Sequence, residues 1–505
     1  MKFAENLGTR VVSGWSRVLF VSFVFGFVVR LIPEVLSLSY SIGYDPIYYV
    51  WIIKSNVVWP NWSSVFSTWL LYAILVSSFN VTHMDPFVLV KFAAALLFGF
   101  NVCGVYYFAT KALGWTVKKG LLAAVFFSFQ MAALSFSSNF YRNMLGLGIL
   151  LFALPLVKDE FKTLRRFLVF ALLSVLVVFA HEYGSVILFT VVLGFLVSRF
   201  LKPTKINALR LLVAILPALA LFLVSIYFMV FPVSSNVETN VILAYGPTGN
   251  YPKPFFFLKN YLATSAPAQY YPAYLGFASQ VFSLFAGLYI VVLPLVLVGS
   301  FKDDVLDSWT VLLLIGSFGA LVMPFFALDC WWRWMLMLVY PFTFYAANGI
   351  TKILQASRGA FSLTVPRVRW AKLAGWTVKL ILILPLALGL VFMATNMQGT
   401  AVPLRDVDDT IRAMRWLNAQ MDNGSALLTH DAFMFWGRVY LDESRVSICF
   451  KDDVQRAIDV ALQRGFSSVY FVWWNQNTGG YGVTVPSYFA RLEDFGRISV
   501  FEFSR

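Results

Sequence analysis

The chain has 505 residues, 59% of them hydrophobic, 18% aromatic and only 13% charged, with a formal net charge of +14 and a mean hydropathy of +0.74. A soluble globular chain is about 45–50% apolar and about 25% charged, and disorder needs low hydrophobicity with high charge, so both classes are excluded. The basic residues sit in short segments between apolar stretches, which excludes a nucleic-acid partner and suits a polytopic protein obeying the positive-inside rule. Three scattered cysteines (Cys103, Cys330, Cys449) are too few for a disulfide framework or a zinc cluster.

Against the ~20 apolar residues a bilayer crossing needs, the chain offers eleven candidate spans. They cover roughly 15–33, 86–109, 120–137, 143–157, 166–181, 183–200, 208–231, 276–299, 308–327, 334–350 and 374–395. The stretch 62–79, flanked by Pro60, Asn61 and Asn80, reads as a helix lying at the interface. With a cytoplasmic N-terminus, inner segments hold 20 Lys and Arg and outer ones 7, the expected bias. A spanning 62–79 segment would collapse it. After about Thr400 charged residues become frequent. Helices over 405–421, 432–440 and 452–464 alternate with strands over 426–430, 445–450, 467–474 and 497–503, which predicts a small α/β domain with a mostly parallel sheet. The predicted architecture is an α-helical polytopic membrane protein with about eleven transmembrane helices over 1–399 and an extracytoplasmic α/β domain over 400–505. The first outer loop spans 34–85 and a large one 232–277. No G-x-G-x-x-G or P-loop occurs, so no nucleotide is expected.

Ionisable groups at membrane depth are costly and usually line cavities. On this map Glu34, Asp45, His83, Asp85, Arg142, His181, Glu182, Glu238, Asp329 and Arg333 share the outer edge, so chemistry is expected there. Gly43-Tyr44-Asp45-Pro46-Ile47-Tyr48-Tyr49 follows the first span. Asp45, beside Tyr44, suits a general base or a metal ligand, and equally a helix cap before Pro46. Arg333 lies in Asp329-Cys330-Trp331-Trp332-Arg333-Trp334 and Arg142 in Asn139-Phe140-Tyr141-Arg142-Asn143. Each reads as a fork for a phosphate or as a snorkelling belt residue. His181-Glu182 serves an outer turn, Asp85-Pro86 a helix cap, and Glu238 stands in the large loop. The pair Trp473-Trp474 reads either as a sugar-stacking platform or as core.

The acidic first outer loop with its membrane-lying helix, the span count and the soluble outer C-terminal domain together resemble the GT-C glycosyltransferases. That superfamily includes oligosaccharyltransferase catalytic subunits, protein O-mannosyltransferases and lipid A aminoarabinose transferases. The segments 139–150 and 331–341 look most like archaeal members. The resemblance implies a polyprenyl (dolichyl) phosphate-linked sugar donor and a glycan, lipid or protein acceptor on the outer face of the plasma membrane. It also implies an inverting displacement, with Asp45 as base or as anchor of a divalent Mg or Mn, and Arg333 on the donor phosphate. The W-W-D-Y-G motif of oligosaccharyltransferases is not matched: the corresponding stretch reads Thr429-His430-Asp431-Ala432-Phe433. Two other classes compete, a flippase for lipid-linked sugars and a membrane anchor displaying the C-terminal domain. Transporters place charge near the midplane and often carry repeats; this chain has neither.

Overall fold

In a computed structural model, all residues are described except 1, 38, 61, 159–160, 162, 201–207, 232–240, 245–269, 323–330, 362–382, 396–399, 452, 477–480, 482 and 505. Helix α1 (Lys2–Leu36) leads into the α1–α5 connection, which carries α2 (Pro46–Lys54), α3 (Trp62–Phe66) and α4 (Leu70–Thr82). A bundle follows: α5 (Pro86–Lys111), α6 (Val117–Ser128), α7 (Met131–Asn139), α8 (Tyr141–Lys158), α9 (Leu164–Ala180), α10 (Glu182–Phe200) and α11 (Ala208–Val230). After the large outer loop come α12 (Tyr270–Tyr289), α13 (Leu293–Gly299), α14 (Asp304–Val322), α15 (Trp331–Met337), α16 (Val339–Phe361) and α17 (Ile383–Thr395).

Among the described residues, four helices are long and apolar enough to cross a bilayer: Ser16–Leu36, Pro86–Lys111, Tyr141–Lys158 and Leu209–Met229. Counting two bent pairs as single spans makes six, against eleven expected from hydropathy. Periodicity shows apolar runs but not where they bend. The 120–137 run is α6 and α7 meeting at 61°, and the 276–299 run breaks by 73° between α12 and α13. The 62–79 stretch is likewise two short helices. They separate at Thr68, which takes a left-handed backbone (φ 68°) while Ser67 Oγ and the Thr68 N–H both donate to the Val178 carbonyl.

Helix α1 packs against α5 through facing glycines. A Cβ on Gly26 would overlap the Val102 side chain, and one on Gly99 would overlap the Phe23 carbonyl. Small residues permit this approach, which drives helix association where lipid removes the hydrophobic incentive. At the C-terminal end of α1 in that contact lies a buried charge group. Arg30 pairs with Glu34 at 2.7 Å with both side chains fully buried, and Arg30 Nε donates to Ser137 Oγ (2.9 Å). Lys91 Nζ donates to the Glu34 carbonyl (2.8 Å) and to Ser37 Oγ (3.0 Å).

The C-terminal part contains α18 (Val407–Gln420), α19 (Asp431–Tyr440) and α20 (Val454–Gln463). Its sheet contains β2 (Ser425–His430), β3 (Val446–Phe450), β4 (Ser468–Trp474), β5 (Ala490–Phe495) and β6 (Ile498–Ser504), joined by β1 (Val241–Leu243) from the large outer loop. The strand order is β1-β3-β2-β4-β6-β5. The first four are parallel, and β6 and β5 add antiparallel. Central β2 is buried along its whole length, as a parallel strand covered on both faces must be, whereas edge β5 is mostly exposed. Neither β1 nor β5 is legible in the sequence, since a three-residue strand and an exposed polar one carry no alternation. Trp473 and Trp474 are core, each 1% exposed, with Trp474 Nε1 donating to Asp406 Oδ2 at 3.0 Å. Cys449 is buried with Sγ 3.3 Å from Asp431 Oδ1; Cys330 lies outside the described residues.

The C-terminal part rests on the α1–α5 connection and the start of α5. Tyr40 donates its hydroxyl to Asp408 (2.5 Å), and burial together with that carboxylate raises the phenol's pKa well above normal. Trp436 of α19 packs on Tyr40 and Phe87, and Phe435 on Tyr48 and Trp51.

Candidate active site

Asp45 holds the N-cap position of α2. Its carbonyl accepts from the N–H groups of Tyr48 and Tyr49, yet its carboxylate makes no capping bond. The cap and base readings therefore divide between the two halves of one residue: the backbone starts the helix, and the side chain stays available. Gly43 makes this placement possible. Its φ of +108° belongs to glycine, and a Cβ there would run into the Ser138 carbonyl. One residue later the Tyr44 N–H donates to Asn139 Oδ1 at 2.6 Å. These contacts fasten the α1–α5 connection to the α7–α8 corner, where Arg142 lies in the first turn of α8.

Aromatic rings line the junction. Tyr49 stacks on Tyr141 with centroids 5.0 Å apart and planes 2° apart. The Arg142 guanidinium lies 5.3 Å from the Tyr72 ring centroid, and the Tyr72 hydroxyl hydrogen-bonds that of Tyr48 (2.8 Å). Arg333, at the start of α15, lies over Phe140 at 5.0 Å and Trp332 at 5.3 Å. Both guanidiniums act through space on the Asp45 carboxylate. Burial nonetheless dominates and lifts the Asp45 carboxyl above its usual range, with Arg333 and then Arg142 pulling the other way. Such a carboxylate is a better base than an exposed one, because its proton affinity has moved toward neutral pH.

The α9–α10 turn completes the group. His181 is 1% exposed, and its Nδ1 accepts from the Tyr183 N–H at 3.1 Å. An accepting Nδ1 carries no proton, so the ring is neutral with its hydrogen on Nε2. Glu182 Oε2 lies 3.7 Å from that Nδ1 and is buried without a hydrogen bond. Arg142 and Arg333 act on both His181 and Glu182. This turn is more than the polar loop its sequence suggests.

Of the sequence candidates, the structure gathers Asp45, Arg142, Arg333, His181 and Glu182 around one junction. Asp85 stands apart as the exposed N-cap of α5, its Oδ1 accepting from the N–H groups of Phe87 (2.9 Å) and Val88 (3.2 Å). Tyr44 contributes its backbone and leaves its ring 54% exposed. Glu238 and Asp329 lie outside the described residues. Sequence reasoning passed over Tyr49, Tyr72 and Asn139; the only signal was the tyrosine density around Asp45. Among the described residues no three His, Cys, Asp or Glu converge as a metal site, and the carboxylate expected to anchor Mg or Mn has two guanidiniums beside it. That donor set fits an anion rather than a divalent cation.

No family model matches the chain, and no curated protein matches it. Solved structures do. Arabinofuranosyltransferase AftD from Mycobacteria superimposes with a TM-score of 0.54 at 14% identity over 97% of this chain and 40% of AftD. The Archaeoglobus fulgidus oligosaccharyltransferase, tethered with an acceptor peptide containing the NVT sequon, gives 0.50 at 11% identity over 90% of this chain and 69% of that one. The chain shares its fold with these two sugar transferases. ArnT from Cupriavidus metallidurans, bound to undecaprenyl phosphate, matches at a TM-score of 0.47 and 12% identity over 97% of this chain and 98% of that one. In this chain the junction of the α1–α5 connection, the α7–α8 corner, the α9–α10 turn and α15 is the candidate site.

Proposed function

We propose that this protein is a membrane glycosyltransferase. It moves a sugar from a polyprenyl (dolichyl) phosphate-linked donor to a glycan, lipid or protein acceptor on the outer face of the plasma membrane. In this reading residues 1–399 form a domain of about eleven spans with the N-terminus in the cytoplasm, and 400–505 an extracytoplasmic domain. The observation that carries the proposal is the Asp45 carboxylate, uncommitted to its helix cap, within reach of the fields of Arg142 and Arg333 in a GT-C fold.

The chemistry follows from those three groups. Asp45 takes the proton of an acceptor hydroxyl as its oxygen attacks the anomeric carbon. The new C–O bond forms as the bond to the donor phosphate breaks, and the electron pair leaves on a phosphate oxygen. One displacement inverts the anomeric configuration. Arg333, with Arg142, faces the charge that grows on the leaving phosphate, where a positioned cation is worth most. His181, with its proton on Nε2, offers a neutral donor on the same side, and Glu182 balances the two arginines.

The test is reconstitution of the full chain into proteoliposomes with a polyprenyl-phosphate-linked sugar and a mixed glycan acceptor. A new glycosidic product, absent in Asp45→Asn, supports the reading. Movement of intact donor across the bilayer with no product overturns it in favour of a flippase.

A further inference from the structure

A guanidinium on a long, rotatable stem serves as a phosphate fork only where something fixes its plane. Arg30 is fixed by its ion pair with Glu34. Arg142 forms no ion pair with a described residue. It has a ring instead: its guanidinium carbon lies 5.3 Å from the Tyr72 ring centroid. Cation–π attraction strengthens where water is excluded, and Tyr72 is fully buried.

Further contacts fix the ring itself. The Tyr72 hydroxyl, on α4, hydrogen-bonds the Tyr48 hydroxyl, on α2, at 2.8 Å. Tyr48 in turn packs on Phe435 of α19 (5.0 Å) and on Trp51 (5.7 Å). Its backbone N–H donates to the Asp45 carbonyl at 2.9 Å. One residue therefore bonds the backbone of Asp45 through its amide and the seat of Arg142 through its hydroxyl. We propose that Tyr72 and Tyr48 are positioning residues: Tyr72 seats the Arg142 guanidinium, and Tyr48 sets that seat against Asp45. The leaving phosphate then meets the cation while the base meets the acceptor hydroxyl. Such a pair must be held closely, since a misplacement of about 1 Å can cost ~10²-fold in rate. The inference rests on the sugar-transfer reading of the Asp45 junction.

Transfer by the full chain in proteoliposomes tests it in two backgrounds. Tyr72→Leu removes the ring and is expected to lower kcat about 10-fold. Tyr72→Phe keeps the ring and loses one hydroxyl, for an expected cost of about 3-fold. Tyr48→Phe, at a half-buried position with little folding risk, is expected to cost the same, and the two together no more than either alone. In Arg142→Ala each of these costs is expected to shrink below ~2-fold, because the seat has lost its occupant. A purely structural role would cost the same in both backgrounds. A second measurement needs no activity: phenylglyoxal modification of Arg142 in the detergent-solubilised chain, followed by mass spectrometry. It is expected to run at least ~3-fold faster in Tyr72→Leu than in the parent, and more slowly in Tyr72→Phe than in Tyr72→Leu. Equal costs with and without Arg142, additive costs of Tyr48→Phe and Tyr72→Phe, or unchanged Arg142 modification in Tyr72→Leu overturns the proposal. Faster modification in a chain without transferase activity leaves the seat standing and removes the proposed function; transfer with purely additive costs does the reverse.

Discussion

Two groups of charges lie where the bundle meets the α1–α5 connection, and they differ in what holds them. Arg30, Glu34 and Lys91 close on one another: every headgroup has a direct partner, among them Ser137, Ser37 and the Glu34 carbonyl. Asp45, Arg142, Arg333 and Glu182 influence one another through space, but Asp45 makes no capping bond and Glu182 Oε2 no hydrogen bond. The first group ties α1 to α5 and α7, so it fixes the stem from which the first outer loop leaves. In the second, the Asp45 carboxylate makes no capping bond and lies in the fields of both guanidiniums, an arrangement that suits a reacting anion. Residue type is the same in both; a direct buried ion pair holds the first group, whereas through-space fields act on Asp45 in the second.

The sharpest way to break this contrast is to neutralise one carboxylate in each group. Asp45→Asn is expected to lower sugar transfer by about 10²–10⁴-fold, the usual contribution of a positioned base, while product analysis in proteoliposomes checks it. The same variant is expected to be no less stable than the parent at neutral pH. Burial raises the Asp45 pKa in the folded state, so its stabilising contribution is complete below the unfolded value of about 3.9 and is lost as pH rises through the folded value. Thermal melts in detergent at pH 7 measure this, and a clear loss of stability in Asp45→Asn would move that residue into the scaffold. Glu34→Gln, by contrast, is expected to destabilise by about 3–5 kcal/mol by stranding the buried Arg30 guanidinium, read from the same melts.

Arg333→Ala is expected to cost about 10²–10³-fold in transfer, the effect of removing one positioned charge stabiliser, with little change in melting. A pH profile refines the assignment. Transfer is expected to rise with pH through the raised Asp45 pKa, above the point where an exposed aspartate would already be ionised; a profile flat from pH 4 upward would remove Asp45 as the base. The smallest expected effect is Tyr40→Phe, which takes one hydrogen bond from the contact with Asp408, about 1 kcal/mol. Faster proteolysis between α17 and α18 would report looser seating of the C-terminal part, with transfer largely kept.

Much of this was legible in the chain. Continuous apolar runs mark bundle helices because lipid and a packed interior ask for the same side chains, and the buried parallel strands β3 and β4 show as short β-branched and aromatic runs. Asp45, Arg142 and Arg333 stood out because charge beside a membrane span is costly and rarely idle. The bends were less legible: a hydropathy window averages over the 61° and 73° breaks and sees one long segment where the backbone turns. Strand β1 was invisible, since three residues acquire strand geometry only by pairing with β3.

The sequence by itself determined the class, a lipid-soluble helical bundle followed by an α/β sheet, because composition and periodicity are local properties that survive without neighbours. Only the tertiary structure decided which charges are spent and which are poised. Glu34 and Asp45 are both acids just beyond the first apolar run. One meets Arg30 a helical turn away, and the other is held beside Arg142 by Gly43 and Asn139, nearly a hundred residues along the chain.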